Sequence, residues 1–152
     1  MTSLPEADSA TRAFFTEWLE RFSGHVREVD YASARRLFHP DVLAFGTHRD
    51  IISGLAAWQS TQWDNVWPKT SDFRFDTRAA RVLVSSDNTM ATVIVPWTST
   101  GYHQDGSTFD RPGRATMVFH KHDGIWLCTH SHMSLNRGVP QQSFASRSVK
   151  AK

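Results

Sequence analysis

The chain is predicted to fold as an α+β domain, three N-terminal helices packed on a curved antiparallel sheet, and three observations predict it. Apolar residues recur at helical spacing as far as Trp67 and then switch to a period of two after Ser71. Polar turn clusters at Asp87-Asn88, Gln104-Asp105-Gly106 and His122-Asp123-Gly124 cut the second half into hairpin lengths. The length of 152 residues, with 39% hydrophobic residues, 6 Trp and 10 Phe, suits one domain with an aromatic core that needs neither metal nor disulfide staples.

The elements follow in order. From Asp8 to Ser23, Phe14, Phe15, Trp18, Leu19 and Phe22 form one apolar stripe, with Arg12, Glu17, Glu20 and Arg21 elsewhere on the wheel. A second, short helix is expected from Asp30, an N-cap residue type, to Phe38, ending before His39-Pro40. Val42 to Thr47 reads as a strand. Gly54 opens a third helix in which Trp58, Gln62, Trp63, Val66 and Trp67 share a side, stopped by Pro68. Phe73, Phe75 and Thr77 alternate with charged residues, and Arg81 to Ser85 continues that strand. Met90 to Tyr102 forms a long strand with Pro96 at a bulge or edge, and Arg114 to His120 and Ile125 to Ser134 form the last hairpin. Residues 1–138 thus make one domain, and the aperiodic, polar residues 139–152 are expected to be a flexible basic tail. Helices over a curved sheet enclose a cone-shaped space of the kind that holds small molecules.

The formal charge is +2, but Arg147, Lys150 and Lys152 lie at the C-terminus and the rest of the chain is close to neutral. With no basic stripe, a nucleic-acid partner is not expected. No apolar run is long enough for a membrane helix, so no membrane partner is expected either. Cys128 is the single cysteine and cannot form an internal disulfide; with no export signal before Arg12, the expected location is cytoplasmic.

The chemistry-bearing residues are sparse. His120 and His122, and His130 and His132, sit at strand spacing that could share a metal, yet no carboxylate accompanies them, so no metal or other cofactor is expected. Glutamates occur only at positions 6, 17, 20 and 28, and the later aspartates fall on polar strand positions or in turns. A buried carboxylate base is therefore missing. His39, His48 and Tyr102 are left as candidate proton-transfer groups at the pocket mouth. Cys128 has no supporting signature and reads as a core residue.

The run from Thr116 to Ser134, with Phe119-His120-Lys121-His122-Asp123-Gly124-Ile125-Trp126 at its centre and His130-Ser131-His132 after it, resembles the closing hairpin of the calcium/calmodulin-dependent protein kinase II association domain. Trp63-Asp64-Asn65-Val66-Trp67 is similar to that domain's third helix. The likeness spans roughly residues 10–138 and points to the SnoaL-like branch of the nuclear transport factor 2-like superfamily, which implies the cone fold. That superfamily contains isomerases, dehydratases, cyclases and non-catalytic dimerisation modules, so the fold alone does not name an activity. The arginines that enter the kinase domain's pocket match Trp97, Met117 and Met133 here, which implies a chamber without fixed charge. The strand that carries the ketosteroid isomerase base offers Leu43-Ala44-Phe45-Gly46.

A three-residue turn ending at Gly124 would turn Met117, Phe119, Thr129, Ser131 and Met133 inward and Arg114, Thr116, Trp126, Cys128, His130 and His132 outward. The expected pocket walls are therefore Trp97, Met117, Phe119, Ser131 and Met133 from the sheet. Phe15, Trp18, Phe45, Trp58, Trp63 and Trp67 complete them. Arg114, Trp126, His130 and His132 are expected at a homodimer interface. The function expected is binding of a small apolar or aromatic molecule. The alternatives are a cofactor-independent isomerase, dehydratase or cyclase using His or Tyr, and a non-catalytic dimerisation module.

Overall fold

The computed structural model describes residues 2–46 and 50–150. Helix α1 (Ser9–Glu28) is capped by Asp8, whose carboxylate accepts from the Thr11 N–H at 2.8 Å. It runs one turn past the expected end and stops at Val29, a β-branched residue at φ 52°. That left-handed conformation is costly for valine, and full burial of the side chain holds it there. Asp30 caps the five-residue α2 (Tyr31–Arg35) through the Ser33 N–H.

The chain then enters β1 (Phe38–Phe45) four residues earlier than the sequence suggests. His39-Pro40 does not end a helix; it sits in the irregular part of this strand, where the register shifts between Phe38 and Leu43. A bulge is where a strand tolerates proline, which cannot donate to the ladder. After β2 (Ile51–Ser53) comes a composite helix: α3 (Leu55–Trp58), a π-helical turn (Gln59–Trp63), α4 (Asp64–Val66) and a 3-10 turn (Trp67–Lys69). Trp58 and Trp63 are five apart, about 140° out of phase on a regular α-helix. The wider π turn brings them onto one face.

The remaining strands are β3 (Ser71–Phe75), β4 (Arg81–Val84), β5 (Met90–Tyr102), β6 (Thr108–Asp110), β7 (Gly113–His122) and β8 (Ile125–Leu135). The sheet order is β2-β1-β8-β7-β5-β3, with β4 and β6 also pairing with β5. One pair departs from the antiparallel expectation: β1 runs parallel to β8. β3 and β4 are separated by a 3-10 turn (Thr77–Ala79) rather than continuous.

The last hairpin corrects the expected turn. His122 pairs with Ile125 across a two-residue Asp123-Gly124 loop, both residues at positive φ (50° and 76°), as a tight primed hairpin turn requires. The register then slips once, because Val118 pairs with His130 and Phe119 with Cys128, leaving Thr129 as a bulge. Two offsets cancel. Ser131 still faces inward opposite Met117, as expected, but Trp126 and Cys128 also turn inward and Thr129 does not. Trp126 packs edge-on to Phe15 with centroids 5.4 Å apart and Lys121 over its ring, so it is not on the face expected to meet a partner.

Phe15, Trp18 and Phe119 fill the space between α1 and the sheet, with ring centroids 4.7 and 4.8 Å apart. Residues 139–150 form no helix or strand, in keeping with their aperiodic sequence, but the segment is tied to the domain. The Arg147 guanidinium donates to the carbonyls of Trp67 (2.7 Å), Thr70 (2.5 Å) and Arg27, and Ser143 Oγ donates to the Lys69 carbonyl. These bonds satisfy carbonyls left over at the ends of α1 (Arg27) and of the third helical segment (Trp67, Lys69 and Thr70). Among the described residues no helix is long and apolar enough to cross a membrane.

Candidate functional site

A cavity of about 30 Å³ lies where the composite helix meets the sheet. Its helical wall is Phe22 and Val26 of α1 with Trp58, Gln62, Trp63 and Trp67; its sheet wall is Phe73, Trp97, Arg111 and Met133. Trp63 and Trp67 stack with centroids 4.4 Å apart, and Tyr31 covers Trp67 from behind at 5.3 Å. Gln62 Oε1 accepts from the Trp58 indole at 3.2 Å. The opposite wall depends on Gly113, which pairs with Trp97 on β5. A Cβ there would collide with the Trp97 ring and lie 2.5 Å from the Ser134 carbonyl, so only glycine lets the indole lie flat on the sheet.

Beyond the cavity, and sharing Val66, Thr70 and Arg111 with it, lies a vestibule of about 310 Å³. Its outer side is made by Lys69 and by Ser143 and Phe144 of the C-terminal segment. Phe144 N–H donates to the Tyr102 carbonyl (2.9 Å) and Ser143 Oγ accepts from Tyr102 N–H (2.8 Å), which holds this wall against the sheet.

Arg111 changes the electrostatics expected from the sequence, which implied a chamber without fixed charge. It is 3% exposed. Ser99 and Arg111 exchange both backbone hydrogen bonds (3.0 and 2.9 Å), so β6 continues through Pro112 into β7 as one interrupted ribbon. Arg111 then falls in phase with Gly113, Ala115, Met117 and Phe119, all inward and buried. Its Nη1 donates to Ser99 Oγ at 3.4 Å, its Nε is buried without an acceptor, and its carbon lies 5.5 Å from the Trp97 ring centre. No carboxylate among the described residues pairs with it. Burial lowers its pKa to about 10, so it is still charged at neutral pH. The sequence signal was available in the alternation, but Asp110-Arg111-Pro112-Gly113 reads as a loop, and arginine is a rare core residue.

Five of the expected wall residues meet at the cavity: Trp58, Trp63, Trp67, Trp97 and Met133. Phe15, Trp18, Met117 and Phe119 are buried in solid core instead, and Ser131 is buried with its hydroxyl unpartnered. Phe45 lies on the other side of the sheet, beside the rings of His130 and His132 (6.0 and 5.0 Å). Phe22, Val26, Gln62, Val66, Thr70, Phe73 and Arg111 line the cavity without having been singled out.

Of the proton-transfer candidates, His39 Nδ1 accepts from the Asp41 N–H (3.0 Å), and Tyr102 shares a 2.7 Å hydrogen bond with Ser71. Neither lines the cavity. His48 lies outside the described residues. Burial pushes the Tyr31 hydroxyl up to about 12 and the Cys128 thiol far above its ordinary range, so neither ionises near neutrality. Among the described residues no three of His, Cys, Asp and Glu gather as a metal site.

The outward face of the sheet carries Arg114, His132, Ile94, Pro96 and Thr116 along a groove of about 540 Å³. Leu43 and Ile94 are about half exposed, at 46% and 45%, and His130 Nδ1 lies 2.8 Å from the Leu43 carbonyl.

A family model described as a SnoaL-like domain matches residues 12–137. Among solved structures, a nuclear transport factor 2-like superfamily protein from Salmonella enterica is 22% identical with TM-score 0.68, over 89% of this chain and 99% of that one. The association domain of C. elegans CaMKII is 16% identical with TM-score 0.68, over 82% and 95%. A ketosteroid isomerase-like protein from Erwinia carotovora atroseptica is 13% identical with TM-score 0.65, over 83% and 92%. At these identities the likeness is one of fold. The search of curated proteins returned no match.

Proposed function

Since the chain belongs to the SnoaL-like domain family, and such a fold does not by itself name an activity, we propose a function read from the site: binding of a small molecule with an apolar or aromatic body between helices and sheet. The observation that carries this is the arrangement of an aromatic inner cavity directly against a larger vestibule, the two sharing Val66, Thr70 and Arg111. The inner space of about 30 Å³ is small beside the 300 Å³ or more of a typical ligand pocket. Binding therefore uses the vestibule and a shift of Met133, a half-buried, flexible thioether suited to repacking.

Four of the chain's six tryptophans line the cavity, so intrinsic fluorescence reports occupancy. Titration with neutral aromatic compounds such as indole or naphthalene methanol should quench it saturably, and Met133→Trp, which fills the space, should remove the response. Absence of any saturable change in the wild type at millimolar concentration would end this reading. Acid–base catalysis has less support, because the cavity wall carries no carboxylate, histidine or tyrosine among the described residues.

A second reading, compatible with the first, is self-association through the outward sheet face. Half-exposed Ile94 beside Arg114 and His132, with half-exposed Leu43 next to His130 on the same sheet, suits an isologous contact with a second copy, and one structural neighbour is an association domain. Light scattering should give a dimer for the wild type and a monomer for Ile94→Asp; a wild-type monomer at high micromolar concentration would remove the reading.

A further inference from the structure

Two side chains on one cavity wall carry buried N–H donors with no acceptor: Nε of Arg111 and Nε1 of Trp97. Orphaned donors are costly inside a protein, and an unpaired buried cation more so. A water molecule could accept from both, but it would leave the charge of Arg111 uncompensated. Resting on the small-molecule reading above, we propose that Arg111 and Trp97 form a carboxylate site, so that the ligand is an organic monoacid whose acid group enters the inner cavity and whose body occupies the vestibule.

The dimensions and charge choose this class. About 30 Å³ accommodates a flat two-oxygen group, and one buried guanidinium balances one negative charge. A phosphate dianion would leave net charge in the cavity, since the nearest further cation in the lining, Lys69, is exposed in the vestibule. A guanidinium also presents its N–H groups in the plane that a carboxylate matches. The vestibule of about 310 Å³ has room for a single aromatic ring, with Val66 and Phe144 as apolar walls.

The test is thermal unfolding of the full chain with sodium benzoate, benzamide or sodium chloride at matched ionic strength, in the wild type, Arg111→Met, Arg111→Lys and Trp97→Phe. Benzoate at about ten times its dissociation constant should raise the wild-type midpoint by about 3–6 °C, and benzamide at the same concentration by much less. Arg111→Met should lose the preference for the acid. Arg111→Lys should keep it with weaker binding, and Trp97→Phe, which keeps an aromatic ring but loses the N–H and part of the indole's bulk, should weaken benzoate about threefold to tenfold more than it weakens benzamide. If acid and amide shift the wild type equally and Arg111→Met changes nothing, the pocket stands and the carboxylate site falls. If benzoate stabilises Arg111→Met as much as the wild type, the site is elsewhere and the proposal is likewise overturned. If neither compound shifts the wild type at 50-fold molar excess or at tens of millimolar, both readings fail.

Discussion

Replacing Arg111 by methionine should stabilise the protein in plain buffer, an unusual sign for removal of a buried residue. Burial lowers the guanidinium pKa from its ordinary value to about 10, which corresponds to about 3 kcal/mol against the charged form at neutral pH. Two contacts offset part of this. The guanidinium over the Trp97 ring at 5.5 Å contributes about 1 kcal/mol, and the long 3.4 Å bond to Ser99 about 0.5 kcal/mol. The residue therefore costs about 1–2 kcal/mol net, and a flexible apolar side chain of similar length should recover that. Calorimetry should show the midpoint rising by about 3–6 °C, and urea unfolding should show a higher midpoint at unchanged slope. Arg111→Met unfolding more than about 1 kcal/mol easier than the wild type would refute the reasoning, because the guanidinium would then have partners strong enough to outweigh its desolvation. The same linkage gives a pH sign. A base whose folded pKa is depressed binds fewer protons folded than unfolded, so its penalty is full below pH 10 and is relieved as pH rises toward the ordinary arginine range.

Other substitutions probe different parts of the site. Gly113→Ala should cost about 3 kcal/mol by driving a Cβ into the Trp97 ring and the Ser134 carbonyl, with a shifted tryptophan emission as the sign that the cavity wall has moved. Tyr31, with its hydroxyl raised from 10.0 to about 12 by burial, contributes stability that is complete below pH 10 and is lost between pH 10 and 12; Tyr31→Phe should flatten the stability profile in that window. Arg147→Ala removes the donor to the Trp67, Thr70 and Arg27 carbonyls and should free the C-terminal segment, seen as faster limited proteolysis after residue 138 with an unchanged core. The Cys128 thiol, fully buried, should react with a maleimide only at the rate of global unfolding.

Much of this protein follows from local pattern. The stripe on α1, the Asp8 and Asp30 caps, β5 from Met90 to Tyr102 and the three late turns are properties of short segments, set by side-chain period and by residues that tolerate positive φ. So is the tryptophan face of the third helical segment, although only the π turn explains how residues 58 and 63 share it. The features that decide the site are of another kind. The two-residue turn alone put Trp126 on the core face, and the bulge at Thr129 then returned the later residues to the expected faces; each offset flips every later side chain. Arg111 lies inward because Ser99 grips it from the neighbouring strand across a proline that breaks the local pattern, and the C-terminal segment is held by hydrogen bonds to carbonyls from distant elements, which leave no trace in its own periodicity. Period and turn chemistry act within a few residues, so the sequence by itself determined the elements. Register, and the charge it carries into the cavity, is a relation between strands and was decided only when they met.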